Sequence, residues 1–364
     1  MSLTRLPPEL FSMVAAHLSG WDLLSLYAVS VGVMTKIHSL PDWIMARSLR
    51  VLCTDLSNRS LSQMHGIAQI DILRKHVQVM RIEPPFGPLY PLHRVTTHEL
   101  IEQPTQIPSI KTLKNDLVCS LTNCRSFEIC LNRHEGRRTY LDSDDVLNVL
   151  LHIFVEAALP VEHLSLYTHN FAEELRESRR ARPDTQDNTR VHKQPDLARA
   201  WSKLTSLQVT QPYYYHLANY LYRLLPRILR TAPKLERLIL IGDANSAKSR
   251  SLVCVLKNVK PLAEIKHLEI RRSAFRPEDF EEWLPLIGRH LRSLKFSMCS
   301  KISAASWTRF FRCVRKNCPL LEAVAFEEMQ VGGFSCLTAK HEGQRMAAVL
   351  DNISWRFEKA EQDC

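Results

Sequence analysis

The sequence predicts an α/β protein: a small all-helical N-terminal module, then an irregular solenoid of helix-and-strand units with a parallel sheet on its concave side. Three observations carry this. The first forty-odd residues read as short, strongly apolar helices. From about residue 77 onward a six-residue pattern (apolar, two variable, apolar, one variable, apolar) returns eight times. The stretches between its copies have helical period.

At the N-terminus, Pro7 or Pro8 suits a first helical turn, where the missing amide donor costs nothing. Leu10, Val14 and Leu18 then recur every fourth residue, widened by Phe11 and Met13. Ser19 reads as the N-cap of a second helix, with Asp22 in the capping-box position. That helix carries Leu23, Leu24, Leu26, Tyr27 and Val29, apolar over more than one face. A unit of this size cannot enclose so much apolar surface, so a partner or the following domain must cover the remainder.

The stretch Leu6-Pro7-Pro8-Glu9-Leu10-Phe11, followed by Val14, Leu18, Asp22-Leu23-Leu24-Ser25-Leu26 and Val29-Ser30, resembles the F-box. That is the helical module by which adaptor proteins dock on a Skp-family subunit of a cullin–RING ubiquitin ligase. The resemblance covers residues 3–45. Val33-Met34-Thr35-Lys36 lacks the aromatic often found in the third helix, while Trp43 after Pro41-Asp42 fits the usual closing tryptophan. The resemblance implies a three-helix module over 1–46, with docking carried by Leu6, Pro7, Leu10, Val14, Leu23, Leu24, Leu26 and Val29. A helical linker is expected over 47–76.

The repeat pattern is clearest as Leu235-Glu-Arg-Leu238-Ile-Leu240, Ile265-Lys-His-Leu268-Glu-Ile270 and Leu291-Arg-Ser-Leu294-Lys-Phe296. Val161–Leu166, Leu204–Val209 and Leu321–Phe326 repeat it, with weaker copies at Val77–Ile82 and Cys124–Ile129. The last five starts are separated by 31, 30, 26 and 30 residues. Between copies, Pro277-Glu278-Asp279 opens one helix and Ser143 with Asp144-Asp145 another; Ser303 caps a third, carrying Trp307, Phe310, Phe311 and Val314. Leu217–Leu229 reads as a helix that should kink or stop at Pro226. Units of this kind cannot bury both faces alone and must stack.

A helix plus L-x-x-L-x-L per unit resembles the leucine-rich repeat, although the asparagine that usually follows the strand is absent, so irregular turns are expected. The array should span 77–335, interrupted by a proline-punctuated loop over 83–108 and a polar, arginine-rich insertion over 172–200. A capping helix and tail should fill 336–364. Pattern residues four and six point into the core, so their neighbours line the concave face. Tyr167, Arg237, His267, Glu269, Arg271, Lys295 and Glu327 are the candidate substrate contacts there. Their mixed charge argues for a protein ligand over a phosphate backbone.

Composition narrows the function classes. Hydrophobic content of 45% supports a sizeable core, and the net charge of +10 makes the surface basic. Ten cysteines occur without C-x-x-C or zinc-ligand spacing, so neither metal nor cofactor is expected. No stretch is long and apolar enough to span a bilayer. Phosphate-cradling glycine loops, G-x-S-x-G and H-E-x-x-H are all missing, so no catalytic residue is assigned.

Taken with the two resemblances, the expectation is a non-catalytic substrate adaptor of an SCF-type cullin–RING ubiquitin ligase, in cytoplasm or nucleus. Its partners would be a Skp-family subunit and a protein substrate, with neither nucleic acid nor membrane expected, and the chain otherwise monomeric. The alternatives are a basic repeat protein that binds nucleic acid, and an F-box protein acting outside a ligase.

Overall fold

One sheet runs through the molecule in chain order, and the repeat pattern explains each strand. Its strands are β1 (Val51–Thr54), β2 (Val79–Ile82), β3 (Ser126–Cys130), β4 (His163–Tyr167), β5 (Ser206–Thr210), β6 (Arg237–Ile241), β7 (His267–Arg271), β8 (Ser293–Ser297), β9 (Ala323–Val331) and β10 (Phe334–Glu342). The first nine are parallel; β10 returns antiparallel to β9. This computed structural model describes residues 3–83, 104–130, 143–167, 197–211, 215–242, 252–257, 259–272, 277–299, 304–331, 334–343 and most of 346–355.

Parallel neighbours require a crossover, and every one of the eight contains a helix. The register places Leu207, Leu238, Leu268, Leu294 and Val324 in one buried row, and Val209, Leu240, Ile270, Phe296 and Phe326 in the next. Both rows lie beneath the helices; the alternate residues occupy the sheet's open face. Adjacent units are also clamped where the chain enters each strand. The Glu236 carbonyl accepts the Lys266 and His267 amides, and the Lys266 carbonyl accepts those of Arg292 and Ser293. The ion pair Lys266–Glu236 at 2.6 Å joins the same two residues through their side chains, and Arg292–Glu322 at 3.2 Å does so where the Glu322 amide donates to the Arg292 carbonyl.

The strand exits are more regular than the missing asparagine predicts. Leu56, Arg272, Met298 and Glu328 all have left-handed φ of 47–60°. Each lies seven residues past a first apolar position (Leu49, Ile265, Leu291, Leu321). The first three turn the chain just after β1, β7 and β8 without glycine, whereas Glu328 lies inside β9, where the pairing with β10 shifts register. After β8 the buried Cys299 thiol donates to the Ile270 and Ser297 carbonyls at 3.8 and 3.6 Å, a side-chain donor in place of an amide.

Aromatic packing is concentrated in the last units. Phe296 lies within 5.4–6.2 Å, ring centre to ring centre, of Phe280, Trp307, Phe310 and Phe326. The helix Pro277–Ile287 meets the helix Ala304–Asn317 closely at its C-terminal end, where a Cβ on Gly288 would come 2.6 Å from the Asn317 carbonyl oxygen.

Four helices precede the sheet: α1 (Pro8–Ala15), α2 (Gly20–Tyr27), α3 (Val31–His38) and α4 (Asp42–Leu49). Pro8 opens α1, and Ser19 with Asp22 forms a reciprocal capping box on α2. Ser30 caps α3 by accepting the Val33 amide.

Several expectations need correction. The stretch 47–76 is not a linker: it holds the end of α4, the first strand of the sheet and the helix Asn58–Ala68. Val51–Thr54 lacks a full copy of the pattern, because Thr54 stands where the last apolar residue would be; it is nevertheless 3% exposed. The helix Tyr215–Thr231 passes through Pro226 without stopping, held to the sheet by buried Leu224, Leu225, Ile228 and Leu229. Residues 334–342, expected to lead into a cap, instead add β10. Beyond it, in the stretch expected as a capping helix with the apolar stripe Met346, Val349, Leu350 and Ile353, Val349 is partly buried and the other three are buried. Helix Pro108–Cys119 begins at the end of the first expected insertion, and helix Leu197–Ala200 lies within the second. The remainder of both insertions, 84–103 and 172–196, lies outside the described residues.

Candidate functional site

Two surfaces answer to the candidate residues. The first is built by α1 to α3. Phe11 and Ala15 turn the inner side of α1 into the core, which leaves Leu10, Met13 and Val14 on its outer side. The spacing i, i+3, i+4 puts those three on one face. Leu10 is 48% exposed, Met13 66%, Val29 67% and Val31 74%. Leu3 joins them beside Thr4, which packs on Gly32 of α3. Lys36 ties this corner together by donating to the Leu6 carbonyl and lying over the Phe11 ring at 5.8 Å. Pro7 is exposed as the residue that precedes α1.

The expected docking residues therefore separate into two groups. Leu10, Val14, Pro7 and Val29 face outward. Leu23 is 0% exposed and belongs to the core, so it cannot touch a partner. Leu6, Leu24 and Leu26 are half-buried and pack against the same core. Leu24 lies against the helix Asn58–Ala68, within 3.4 Å of where a Gly66 Cβ would stand. So α2 fastens the module to the array, while α1 and the α2–α3 corner are left bare. Val31, the first residue of α3, is exposed as well and is not among the expected docking residues, while Val33 in the same turn is buried. Trp43 is 61% exposed at the start of α4.

The second surface is the open face of the sheet. At one end Arg81 donates to Glu128 at 2.6 Å and lies 3.8 Å from Glu83, whose carboxylate accepts the Tyr167 hydroxyl at 3.1 Å. Burial pushes the Tyr167 phenol well above its ordinary range, with Cys130 and Glu83 adding to the effect, so it stays a neutral donor. At the other end Glu269, 7% exposed, gathers three cations, one from its own strand and one from the strand on either side. Arg271 donates to it at 2.8 Å, Lys295 lies at 3.5 Å and Arg237 at 3.8 Å. Burial opposes its ionisation, but Arg271 and Lys295 outweigh this and hold the carboxyl below its usual value. Glu327 takes the second contact of Lys295 at 2.8 Å and accepts the Ser297 hydroxyl at 3.1 Å, and its carboxyl is likewise lowered.

Six of the seven candidate contacts thus lie on β6 to β9, in or beside one network: Arg237, His267, Glu269, Arg271, Lys295 and Glu327. Tyr167 is separate, in the cluster at β2 to β4. Between the two lies a neutral polar strip of Ser165, Gln208 and Thr210. Charge on this face is internally paired, which suits hydrogen-bonded recognition of a polypeptide better than attraction of a polyanion.

Among the described residues no group of three or more His, Cys, Asp or Glu could hold a metal ion. Burial pushes the Cys124 and Cys318 thiols up to about 12, far from nucleophilic use at neutral pH. Among the described residues no helix is long and apolar enough to cross a membrane. No family model matches this chain, and no curated protein matches it either.

Proposed function

We propose that the chain is a substrate adaptor of a cullin–RING ubiquitin ligase, with α1 to α3 docking on a Skp-family subunit and the open sheet face holding a target protein. One observation carries the reading: Leu10, Met13, Val14, Val29 and Val31 stay exposed although the array covers the opposite side of the same helices. Large apolar side chains gathered on so short a segment mark an interaction site. The F-box resemblance of residues 3–45 supplies the identity of the partner. Helix-on-helix burial would seal the face, and the array would act by proximity, raising the substrate's effective concentration at the catalytic subunit.

The test is binding of the full chain to a purified Skp-family protein. Leu10→Asp with Val14→Asp should weaken binding by at least two orders of magnitude, from about 2 kcal/mol per buried anchor. The thermal midpoint should stay unchanged, because both side chains are exposed. Wild-type affinity in that folded variant, or failure of the wild-type chain to bind, would sink the proposal.

A further inference from the structure

The helix-covered side of the molecule has a charge distribution unlike that of the open face. From Leu197 to Leu235 there is no Asp or Glu, while Arg199, Lys203, Arg223, Arg227, Arg230 and Lys234 all occur there. All six side chains are exposed. None makes an ion pair among the described residues. On the open face, by contrast, Arg81, Arg271 and Lys295 each have a carboxylate partner.

Placement turns this composition into a surface. Arg223, Arg227 and Arg230 follow the i, i+4, i+7 spacing of one helical face, opposite buried Leu221, Leu224, Leu225 and Ile228. They span roughly 10 Å along the axis at 1.5 Å per residue. Arg199 sits on the helix Leu197–Ala200, which packs against this one. Lys203 and Lys234 each stand just ahead of the first apolar residue of their units, Leu204 and Leu235. The register Ser206↔Arg237 puts those two entrances side by side.

We propose that this face binds the phosphate backbone of nucleic acid. Guanidinium groups pair with phosphate in a bidentate, fixed geometry. A duplex presents one charge per about 1.7 Å of axis, hence about six along the arginine stripe. Leu262 is the single large apolar side chain exposed among the described residues 197–285. A protein partner would want a central apolar or aromatic anchor, and a membrane would want an insertable face. A backbone of phosphates needs neither. The site is independent of the docking proposed for α1 to α3, so each can fail without the other.

The experiment is fluorescence anisotropy of the full chain with a labelled 20-base-pair DNA duplex over a salt series. Binding should weaken steeply with salt and show little sequence preference. The triple variant Arg223→Ala, Arg227→Ala, Arg230→Ala should reduce the slope of log affinity against log salt by about 2.7, at 0.9 per phosphate contact. Replacing the same three by Lys should restore most of it. A circular dichroism melt checks that both variants fold like the wild type. No binding at low salt, or a triple-Ala variant with the parent slope, would overturn the inference. So would tighter binding to polyglutamate or to vesicles of phosphatidylserine than to the duplex.

Discussion

Ser19 and Asp22 show how much one pair of residues does at the start of α2. The hydroxyl accepts the Asp22 amide at 3.2 Å, and the Asp22 carboxylate accepts the Ser19 amide at 3.1 Å and its hydroxyl at 2.7 Å. Those bonds, hydroxyl first, hold the Asp22 carboxyl below its ordinary 3.8. Because the folded value is depressed, the bonus to stability is complete above the unfolded value and fades as pH falls through the folded one. Ser19→Ala should cost about 1 kcal/mol in a urea melt at neutral pH, with the difference from wild type shrinking below about pH 4. An NMR titration of the variant should find Asp22 moved toward the ordinary range, with only the backbone amide left to lower it. Gly288 is the other single-residue constraint, for there any side chain would strike backbone. Gly288→Ala should destabilise by about 1–3 kcal/mol, through separation of the two helix ends it lets meet. An unchanged urea midpoint would show that the helices give way freely.

At the scale of elements, each strand is specified by its two inward residues and each helix by the stripe that covers them. Those contributions are unequal along the chain. The β6 unit buries leucine, isoleucine and valine, and a smaller ring group joins Phe127, Phe154 and Trp201, whereas the last units lock Phe280, Phe296, Trp307, Phe310, Phe311 and Phe326 into one larger cluster. Phe296 is its hub, 0% exposed and in contact with rings from both flanking helices and from β9. Phe296→Ala should therefore cost about 3–5 kcal/mol, more than Leu240→Ala at the equivalent position of an aliphatic unit. Equal losses in the two variants would mean that the aromatic geometry adds nothing beyond buried volume. The antiparallel β10 belongs to this scale too. It pairs β9 from Ala323 to Val331 and so ends the parallel series with a hairpin.

For the whole molecule, the decisive fact is that one continuous core runs from Phe11 to Ile353. Leu49 approaches Gly20 at the start of α2, and Leu52 of β1 lies in the same contact. The N-terminal helices are thus the opening layer of the array rather than a separate bead on a linker. A fragment of residues 1–50 should stay largely unfolded by circular dichroism, since it lacks the surface on which Leu23 and Leu24 are buried. The full chain should melt with its N-terminal helices in one transition. A helical, cooperatively melting fragment would contradict this. The same arrangement gives the exposed Leu10–Val14 face a rigid support, which a docking surface needs.

Much of this architecture was legible in the linear pattern, because burial on one face of a strand forces alternation and burial of one helix side forces a period near four. Leu235–Leu240 and Leu291–Phe296 announced their strands, and Ser19 with Asp22 announced a helix start, since these signals are local. By itself the sequence therefore determined the repeating helix-and-strand class, the order of units and the apolar excess of the first helices. The tertiary structure decided the rest. It made Val51–Thr54 a strand, since Thr54 is acceptable there only with Ser60 and the Leu56 amide to bond. It carried a helix through Pro226, and it turned 334–342 back along β9. It also chose which leucines of α2 face inward. Each outcome depends on partners distant in the chain, and a greasy side chain carries no mark of whether its own fold or another molecule will cover it.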